Sequence, residues 1–466
     1  MAVTEPAPPH PAPPAAPFGQ PAGRAARTEA VLRGPSPREP KARTYARSLP
    51  IVPVRARGLT IEGADGRRYL DCRSGAGSLA LGHHHPVVLE AVRKVLDSGA
   101  PLHALDLATP VKDAFVAELL ATLPPALAAR ARVRFCGPAR TDAVATALKL
   151  VRTATGHRGL LSFTGAARST AQGALAGDVQ VTRLPYPQDY RCPFGVGGPE
   201  GAGLAARWAE SLLDDAGAGE PRPAGMIVEP VQGEGGVLPA PDAWLRRMRE
   251  VTAARSIPLI ADEAQTGVGR TGAFWAVEHS GIVPDVMVLS QAIGGSLPLA
   301  VVVYRDDLDA GEPAAPAGAF RGNQLAMAAG AATLAHVRRH RLADRAAALG
   351  ARMLARLRAL AADQPQIGEV RGRGLMIGVE LVDPEGARRG AARPGPPPPA
   401  PRLAAAVQRA CLDRGLIVES GGRRSGVVRL LPPLTLTDDQ ADAVLDRFSS
   451  ALTCVLKSQH PESARQ

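Results

Sequence analysis

Residues 257–291 read IPLIADEAQTGVGRTGAFWAVEHSGIVPDVMVLSQ and hold the pattern that decides the fold. Two short apolar runs within this stretch, residues 257–261 and 285–289, are each followed by polar side chains. A third run, residues 225–229, ends in the same way. Short buried runs of this kind predict strands of a parallel sheet, and such a sheet gathers ligand-binding groups at the carboxyl ends of its strands.

The alternation of strands and helices extends outward on both sides of this stretch. It predicts an α/β fold with a mainly parallel sheet in a large domain, residues 106–330, because alternating elements favour a sheet covered on both faces. A smaller α/β domain is expected from both chain ends, residues 44–105 and 331–466. The further strands are predicted at 132–136, 159–163, 367–371 and 375–381, a hairpin at 59–71, helices at 141–153, 204–213, 242–254, 322–340 and 342–362, and a final α/β set at 403–452.

Two segments have little to bury. Residues 1–43 are rich in Pro, Ala, Gly and Arg and predict a disordered tail, and the Pro-rich residues 388–402 predict an extended surface loop. The uncharged stretch 286–304 is the best candidate for a membrane span, but Ser, Gln, Gly and Pro interrupt it. It therefore predicts two short buried strands joined by a loop, and no membrane span is expected.

Composition narrows the class of partner. The 466 residues carry a formal net charge of +11, mostly from Arg, which could attract nucleic acid. Only 3% of the residues are aromatic, so the side chains on which single-stranded nucleic acid stacks are missing. Nucleic acid is therefore not expected as a partner. Five widely spaced cysteines form no Cys-x-x-Cys motif, and the N-terminus has no apolar signal-peptide core. These features favour a reducing, cytoplasmic location.

Several motifs resemble the class III, pyridoxal-phosphate (PLP) dependent aminotransferases, most closely the branch that makes diaminobutyrate with glutamate and 2-oxoglutarate as partner substrates. They are LDCRSGAGSLALGHHHP at 70–86, FCGP at 135–138, VEPVQGEGGV at 228–237, ADEAQTGVGRTG at 261–272, FRGNQLA at 320–326 and VVRLLPPLTLT at 427–437. The resemblance implies fold type I, a homodimer, and small amino and keto acids as ligands.

The resemblance also implies roles for single residues. Asp262 matches the carboxylate that pairs with the cofactor's pyridine nitrogen, and Gln265 matches an amide that meets the ring oxygen. Glu234 and Arg429 match a pair used around substrate carboxylates. The expected cofactor-binding residues are Asp262, Gln265, Arg140, Thr141 and Glu229.

The chain departs from the family pattern at four places, all on the cofactor side. Gln291 follows Leu-Ser where the family has the Lys that holds PLP and moves a proton, and no Lys lies between Lys149 and Lys457. The other departures replace a small Ser/Thr-Gly turn, an aromatic-His-Gly stacking motif and a Thr of the partner subunit. They are Ala139-Arg140, Ala167-Arg168-Ser169 and Ala319.

Three functions follow from this pattern and stay open at this point. The first is a pseudoenzyme, a binding or assembly protein that forms a homodimer or pairs with an active paralogue. The second is an enzyme that uses PLP or its amine form without a covalent link, and the third is a working aminotransferase whose missing amine comes from elsewhere. Arg140 replaces a phosphate contact by charge or blocks it, and the role of Arg168 is equally open.

Metal and hydrolase chemistry have weaker support. His83, His84 and His85 are adjacent, but neighbouring side chains point in different directions, so no metal site is expected. The serines at 162, 169 and 290 have no paired His and Asp at a recognisable spacing. Because Gln291 stands at the position of the family's lysine, no intact catalytic residue is predicted.

Overall fold

The computed structural model describes residues 49–105, 107–168, 170, 179–215, 222–310, 319–386 and 395–459. The predicted tail 1–43, Ser169 and residues 388–394 of the Pro-rich loop lie outside the described residues. The chain divides into two compact units, residues 1–55 with 61–68 and residues 56–60 with 69–466. All the site residues discussed below belong to the second unit.

The described residues form seventeen strands and ten α-helices. The strands are β1 Pro53–Arg57, β2 Thr60–Gly63, β3 Arg68–Asp71, β4 Ala131–Phe135, β5 Gly159–Phe163, β6 Gln180–Leu184, β7 Pro223–Val228, β8 Val231–Gln232, β9 Leu238–Pro239, β10 Leu259–Asp262, β11 Val286–Leu289, β12 Val301–Arg305, β13 Ile367–Arg373, β14 Met376–Leu381, β15 Leu416–Ile417, β16 Glu419–Gly421 and β17 Val427–Leu430. The helices are α1 Pro86–Asp97, α2 Pro110–Leu120, α3 Pro125–Ala128, α4 Arg140–Thr155, α5 Gly198–Asp214, α6 Asp242–Ala254, α7 Gln324–Arg339, α8 Leu342–Ala362, α9 Pro401–Asp413 and α10 Asp438–Gln459.

A seven-stranded sheet in the order β4-β12-β11-β10-β7-β5-β6 lies at the centre of the larger unit. Strands β11, β10, β7, β5 and β6 are parallel to one another. Their side chains alternate between two apolar clusters. Val286 and Val288 of β11 pack in the cluster on the α4 side, and Met287 and Leu289 pack in the larger cluster on the other face. The predicted α/β fold with a sheet buried on both faces is confirmed.

Strand β12 is the exception to the parallel arrangement, because it pairs antiparallel with both β11 and β4. Its connection from β11, residues 290–300, contains a short 3₁₀ turn and no α-helix. A parallel connection needs a crossover of a dozen or more residues, usually with a helix, so the short link returns the chain antiparallel. The prediction of two buried strands joined by a loop at 286–304 is confirmed, and their antiparallel pairing was not predicted.

Local sequence accounts for several helix ends. The Thr109 side chain accepts from the Lys112 N–H at 3.1 Å and Pro110 follows, which fixes the start of α2. Asn323 caps α7 in the same way through the Ala326 N–H. Helix α4 ends at Gly156, whose φ of 71° lies in the left-handed region that favours glycine.

The C-terminal part of the chain adds a second, antiparallel sheet in the order β13-β14-β17-β16. Strand β15 pairs in parallel with β3, Leu416 opposite Leu70, so the two chain ends meet in one sheet. Helix α9 begins at Pro401, inside the segment predicted as an extended loop up to residue 402. Proline suits the first turn of a helix, where its missing N–H is not needed, so the loop prediction ran two residues too far.

Among the described residues, no helix is both long and apolar enough to cross a bilayer.

Candidate functional site

The polar ends of three neighbouring strands meet at one edge of the central sheet. Strand β10 lies between β7 and β11, with Ala261 opposite Val228 on one side and Asp262 opposite Val288 on the other. Glu229 and Asp262 therefore lie at the same level of neighbouring strands, and Ser290 and Gln291 follow β11 at the same edge of the sheet. Their placement at one sheet edge is what the sequence pattern predicts.

Arg140 links two of these strand ends. It is the first residue of α4, and its guanidinium donates to Asp262 Oδ2 from Nε at 3.0 Å and from Nη2 at 2.7 Å. Nη2 also lies 2.9 Å from Glu229 Oε2. The side chain of Arg140 is 10% exposed, and those of Asp262 and Glu229 are 0% and 4% exposed. One buried cation is therefore shared by two buried carboxylates.

Further donors complete the bonding of the two acids. Glu229 Oε1 accepts from the Ala167 N–H at 2.8 Å, and Asp262 Oδ1 accepts from the Ala264 N–H at 3.2 Å. Ala167 is itself buried. Each carboxylate thus has one backbone donor and one guanidinium, as a buried charge requires.

The electrostatics of the cluster depend on this sharing. Burial raises the pKa of Glu229, and the nearby Arg140 opposes that rise. Burial works to lower the pKa of Arg140, but the two carboxylates outweigh it and hold that pKa above the usual range. The guanidinium is therefore fixed in its charged form, and its charge favours the ionised form of Glu229.

The first turn of α4 would normally attract an anion. Helix N-termini carry exposed N–H groups and a partial positive charge, which disfavours a cation there. Arg140 occupies the first helical position without a side-chain cap, Thr141 follows it half-buried, and the Asp142 carboxylate accepts from the Ala139 N–H at 3.2 Å. The bonds to the two strand-end acids offset the unfavourable position of the arginine.

Two glutamines lie near the same sheet edge with unsatisfied oxygens. Gln265 donates from Nε2 to the Ala76 carbonyl at 3.1 Å. Gln291 has a φ of 58° and begins a 3₁₀ turn after Ser290. The Oε1 atoms of both glutamines are buried and accept no hydrogen bond from the described residues. Both amides therefore leave an acceptor without a donor, and that of Gln265 packs against Gly233.

The expected pair of Glu234 and Arg429 has different partners in the structure. Arg429 lies 2.7 Å from Glu419 Oε2 and donates to the Gly233 carbonyl at 2.9 Å. Glu234 is exposed and accepts from the Arg168 N–H at 3.1 Å. Glu419 was missed by the sequence reasoning, although it lies directly opposite Arg429 in the β16–β17 pair. The hairpin spacing around GGRRSG could have indicated it.

The remaining candidate residues contribute little to this cluster. Arg168 is exposed, and Ala319 begins a short 3₁₀ helix. The three adjacent histidines have separate partners: His83 contacts Asp71, His84 contacts the Ala56 carbonyl, and His85 stacks with a ring on α7. The described residues contain no group of three or more His, Cys, Asp or Glu that could hold a metal ion.

Comparison with known sequences gives a consistent family. A model of the class-III aminotransferases matches residues 42–452. The diaminobutyrate–2-oxoglutarate aminotransferase of Rhizobium meliloti is 52% identical over 427 residues, which cover 89% of this chain and 90% of that protein. The enzyme of the same name from Haemophilus influenzae is 43% identical over 432 residues, covering 90% of this chain and 94% of that protein.

Solved structures agree with the sequence matches. An (S)-enantioselective omega-transaminase from Thermomicrobium roseum is 28% identical with a TM-score of 0.80, covering 93% of this chain and 99% of that one. An amine transaminase from an uncultivated Pseudomonas species, solved in its PLP-bound form, is 27% identical with a TM-score of 0.79. That match covers 91% of this chain and 100% of the other.

Proposed function

The chain belongs to the class-III aminotransferase family, and from that premise we propose that it no longer carries out lysine-based transamination. In this proposal it is a diaminobutyrate-type homologue that binds small amino and keto acids. The observation that carries the proposal is the shared ion pair of Arg140 with Asp262 and Glu229. It accounts for the role of Arg140, which the sequence left open.

The residues at the sheet edge do not fit PLP in the way the family holds it. PLP, when bound, supplies an electron sink that a carboxylate at its ring nitrogen strengthens. The carboxylate expected for that contact, Asp262, already accepts two hydrogen bonds from a guanidinium. A planar, delocalised cation that donates N–H bonds takes the place of a protonated pyridine ring.

The remaining departures support the same proposal. Gln291 stands where the family pattern has its lysine, and an amide is neither a nucleophile nor a useful base at neutral pH. Ala167 offers no aromatic face for stacking, and it is packed with 1% of its surface exposed. Ordinary turnover would require other groups to replace the lysine amine, the carboxylate contact to the ring nitrogen and the aromatic stacking face.

Oligomeric state and location are part of the proposal. A homodimer, or a heterodimer with an active paralogue, is supported by the family and by an exposed apolar group at Leu102, Leu105, Leu107 and Phe320. His103 stacks on Phe320 at 5.9 Å between ring centroids, which holds this group together. Large exposed apolar groups commonly mark protein interfaces. A cytoplasmic site agrees with five free cysteines.

The alternative is an enzyme that holds PLP or its amine form without a covalent bond. The buried, unsatisfied Oε1 atoms of Gln265 and Gln291 favour it, because each acceptor lacks the donor that a polar ligand could supply. That cofactor would have to displace Arg140 from Asp262.

Gel filtration after incubation with PLP separates the two proposals. The pseudoenzyme should emerge without the absorbance of the cofactor and should show no amino transfer from diaminobutyrate to 2-oxoglutarate. Retained, non-covalent cofactor with measurable turnover would select the alternative. Turnover at the rate of an ordinary aminotransferase, typically 1–1,000 per second, would exclude both.

A further inference from the structure

Apart from the Arg140 cluster, the protein has a polar cleft between the loop that contains Thr164 and the hairpin β16–β17. Its volume is about 330 Å³. The ionisable residues that line it are Arg191, Arg371, Arg423, Arg424 and Glu380. Four guanidinium groups and one carboxylate line a space the size of a small metabolite.

Two of the arginines are already paired with acids. Arg191 Nε contacts Glu380 Oε1, and Arg371 Nη1 lies 2.6 Å from Glu380 Oε2 and 2.5 Å from Glu369 Oε2. Arg191 also donates from Nη2 to the Pro397 carbonyl at 2.8 Å. These side chains form a fixed, largely neutralised wall of the cleft.

Arg423 and Arg424 differ from this wall because they contact no carboxylate among the residues that the structure describes. Both are exposed at the tip of the hairpin. The Ser425 N–H donates to the Gly422 carbonyl at 3.0 Å, so Arg423 and Arg424 occupy the two central positions of a tight turn, and both line the cleft. Adjacent like charges repel, and an anion between them would remove that cost.

Contacts with the loop that contains Thr164 fix the stem of Arg423, and the Thr164 hydroxyl supplies an uncharged hydrogen-bond donor. A Cβ added at Gly165 would lie 3.3 Å from Cδ of Arg423, so the stem of this arginine packs against the loop. The Thr164 hydroxyl accepts from the Tyr186 N–H at 3.2 Å, which leaves its own O–H free to donate. Guanidinium groups beside a hydroxyl donor are well suited to bind oxyanions.

We propose that this cleft binds a small oxyanion with two negative charges, held by Arg423, Arg424 and Thr164. The ligand class includes phosphate and short dicarboxylates, since both present paired oxygens to a guanidinium. The cleft is distinct from the Arg140 cluster and from Arg429, whose charge Glu419 meets. The inference goes beyond the proposed function and does not depend on whether the protein turns over substrate.

Calorimetric titration of the full chain with inorganic phosphate, and separately with glutarate, tests the proposal. Binding of at least one probe is expected, and Arg423→Gln with Arg424→Gln should weaken it about tenfold or more. The matched control is Arg338→Gln with Arg339→Gln, which removes two adjacent positive charges from the end of α7 and should leave affinity unchanged. The probe that binds identifies the phosphate or the dicarboxylate source.

A second variant tests the neutral donor of the cleft. Thr164→Val removes the hydroxyl while retaining size, and it should weaken the same probe several-fold. The proposal is overturned if neither probe binds, if both arginine double variants lose affinity equally, or if glutarate binding survives Arg423→Gln with Arg424→Gln and disappears only in Arg429→Lys.

Discussion

Replacing Arg140 by Gln tests the buried cluster most directly. The variant keeps a long polar side chain at the first position of α4 but removes the positive charge that Asp262 and Glu229 share at 2.7 Å and 2.9 Å. Both acids are almost completely buried, so water cannot replace the lost partner. We therefore expect a large loss of stability from this single substitution.

The magnitude follows from the burial of the pair. At an effective dielectric constant of about 20, each attraction over about 4 Å is worth about 4 kcal/mol before desolvation is subtracted. Removing one partner of a buried pair typically costs about 3–5 kcal/mol, because a charge is left unpaired. With about 400 folded residues and an unfolding entropy of about 2.1 cal/mol/K per residue, this corresponds to a drop in Tm of about 4–6 °C.

Differential scanning calorimetry at several pH values measures the effect. The deficit should shrink as the pH falls, because burial raises the pKa of Glu229 and the unpaired acid can then take up a proton. The matched control is Arg247→Gln, which also removes an arginine bound to two acids, at 2.6 Å and 2.9 Å, but at a surface position that is 49% exposed. That change should cost about 0–1 kcal/mol. Equal Tm values for the two variants would refute the assignment of Arg140 as the counter-ion of this site.

Three further changes probe neighbouring groups. Burial raises the pKa of Glu263 to about 7, so the folded protein binds a proton that the unfolded chain releases near pH 4.5. The free energy of unfolding should therefore fall by up to about 3 kcal/mol as the pH rises from 4.5 through 7. Glu263→Gln should flatten this slope in a series of melting curves, and an unchanged slope would rule Glu263 out as its source. The Gln291→Lys variant alone should not retain PLP through gel filtration. The double variant Gln291→Lys with Arg140→Gly should retain it, because the second change frees Asp262. Retention by the single variant would show that Arg140 does not obstruct the cofactor. Glu419→Gln removes the acid 2.7 Å from Arg429. Made in the Arg423→Gln, Arg424→Gln background, it should let glutarate bind several-fold tighter by calorimetry than the double variant alone does, and no gain would mean that Arg429 does not receive a ligand carboxylate.

The sequence predicted the edge where the site lies but not its internal bonding. Glu229 and Asp262 could be placed together because each follows an apolar run, and parallel strands align their carboxyl ends. The direction of the Arg140 side chain could not be predicted in this way. It depends on side-chain torsions and on a competition between the helix N-terminus and two acids that are distant in sequence.

The same limit applies to Arg429 and to β12. The partner of Arg429 is set by cross-strand register, which brings Glu419 opposite it in a hairpin whose turn the sequence reasoning did not identify. The antiparallel direction of β12 follows from the length of its connection, a feature that periodicity does not report. In each case the local pattern predicted the element, and tertiary geometry decided its partner.

The central claim is that this family member has no amine positioned to bond the cofactor's aldehyde. Incubation with equimolar PLP, reduction with borohydride and peptide mass spectrometry tests it directly. We expect no stoichiometric adduct at Lys41, Lys94, Lys112, Lys149, Lys457 or elsewhere. A single peptide carrying close to one equivalent of reduced cofactor would contradict the account.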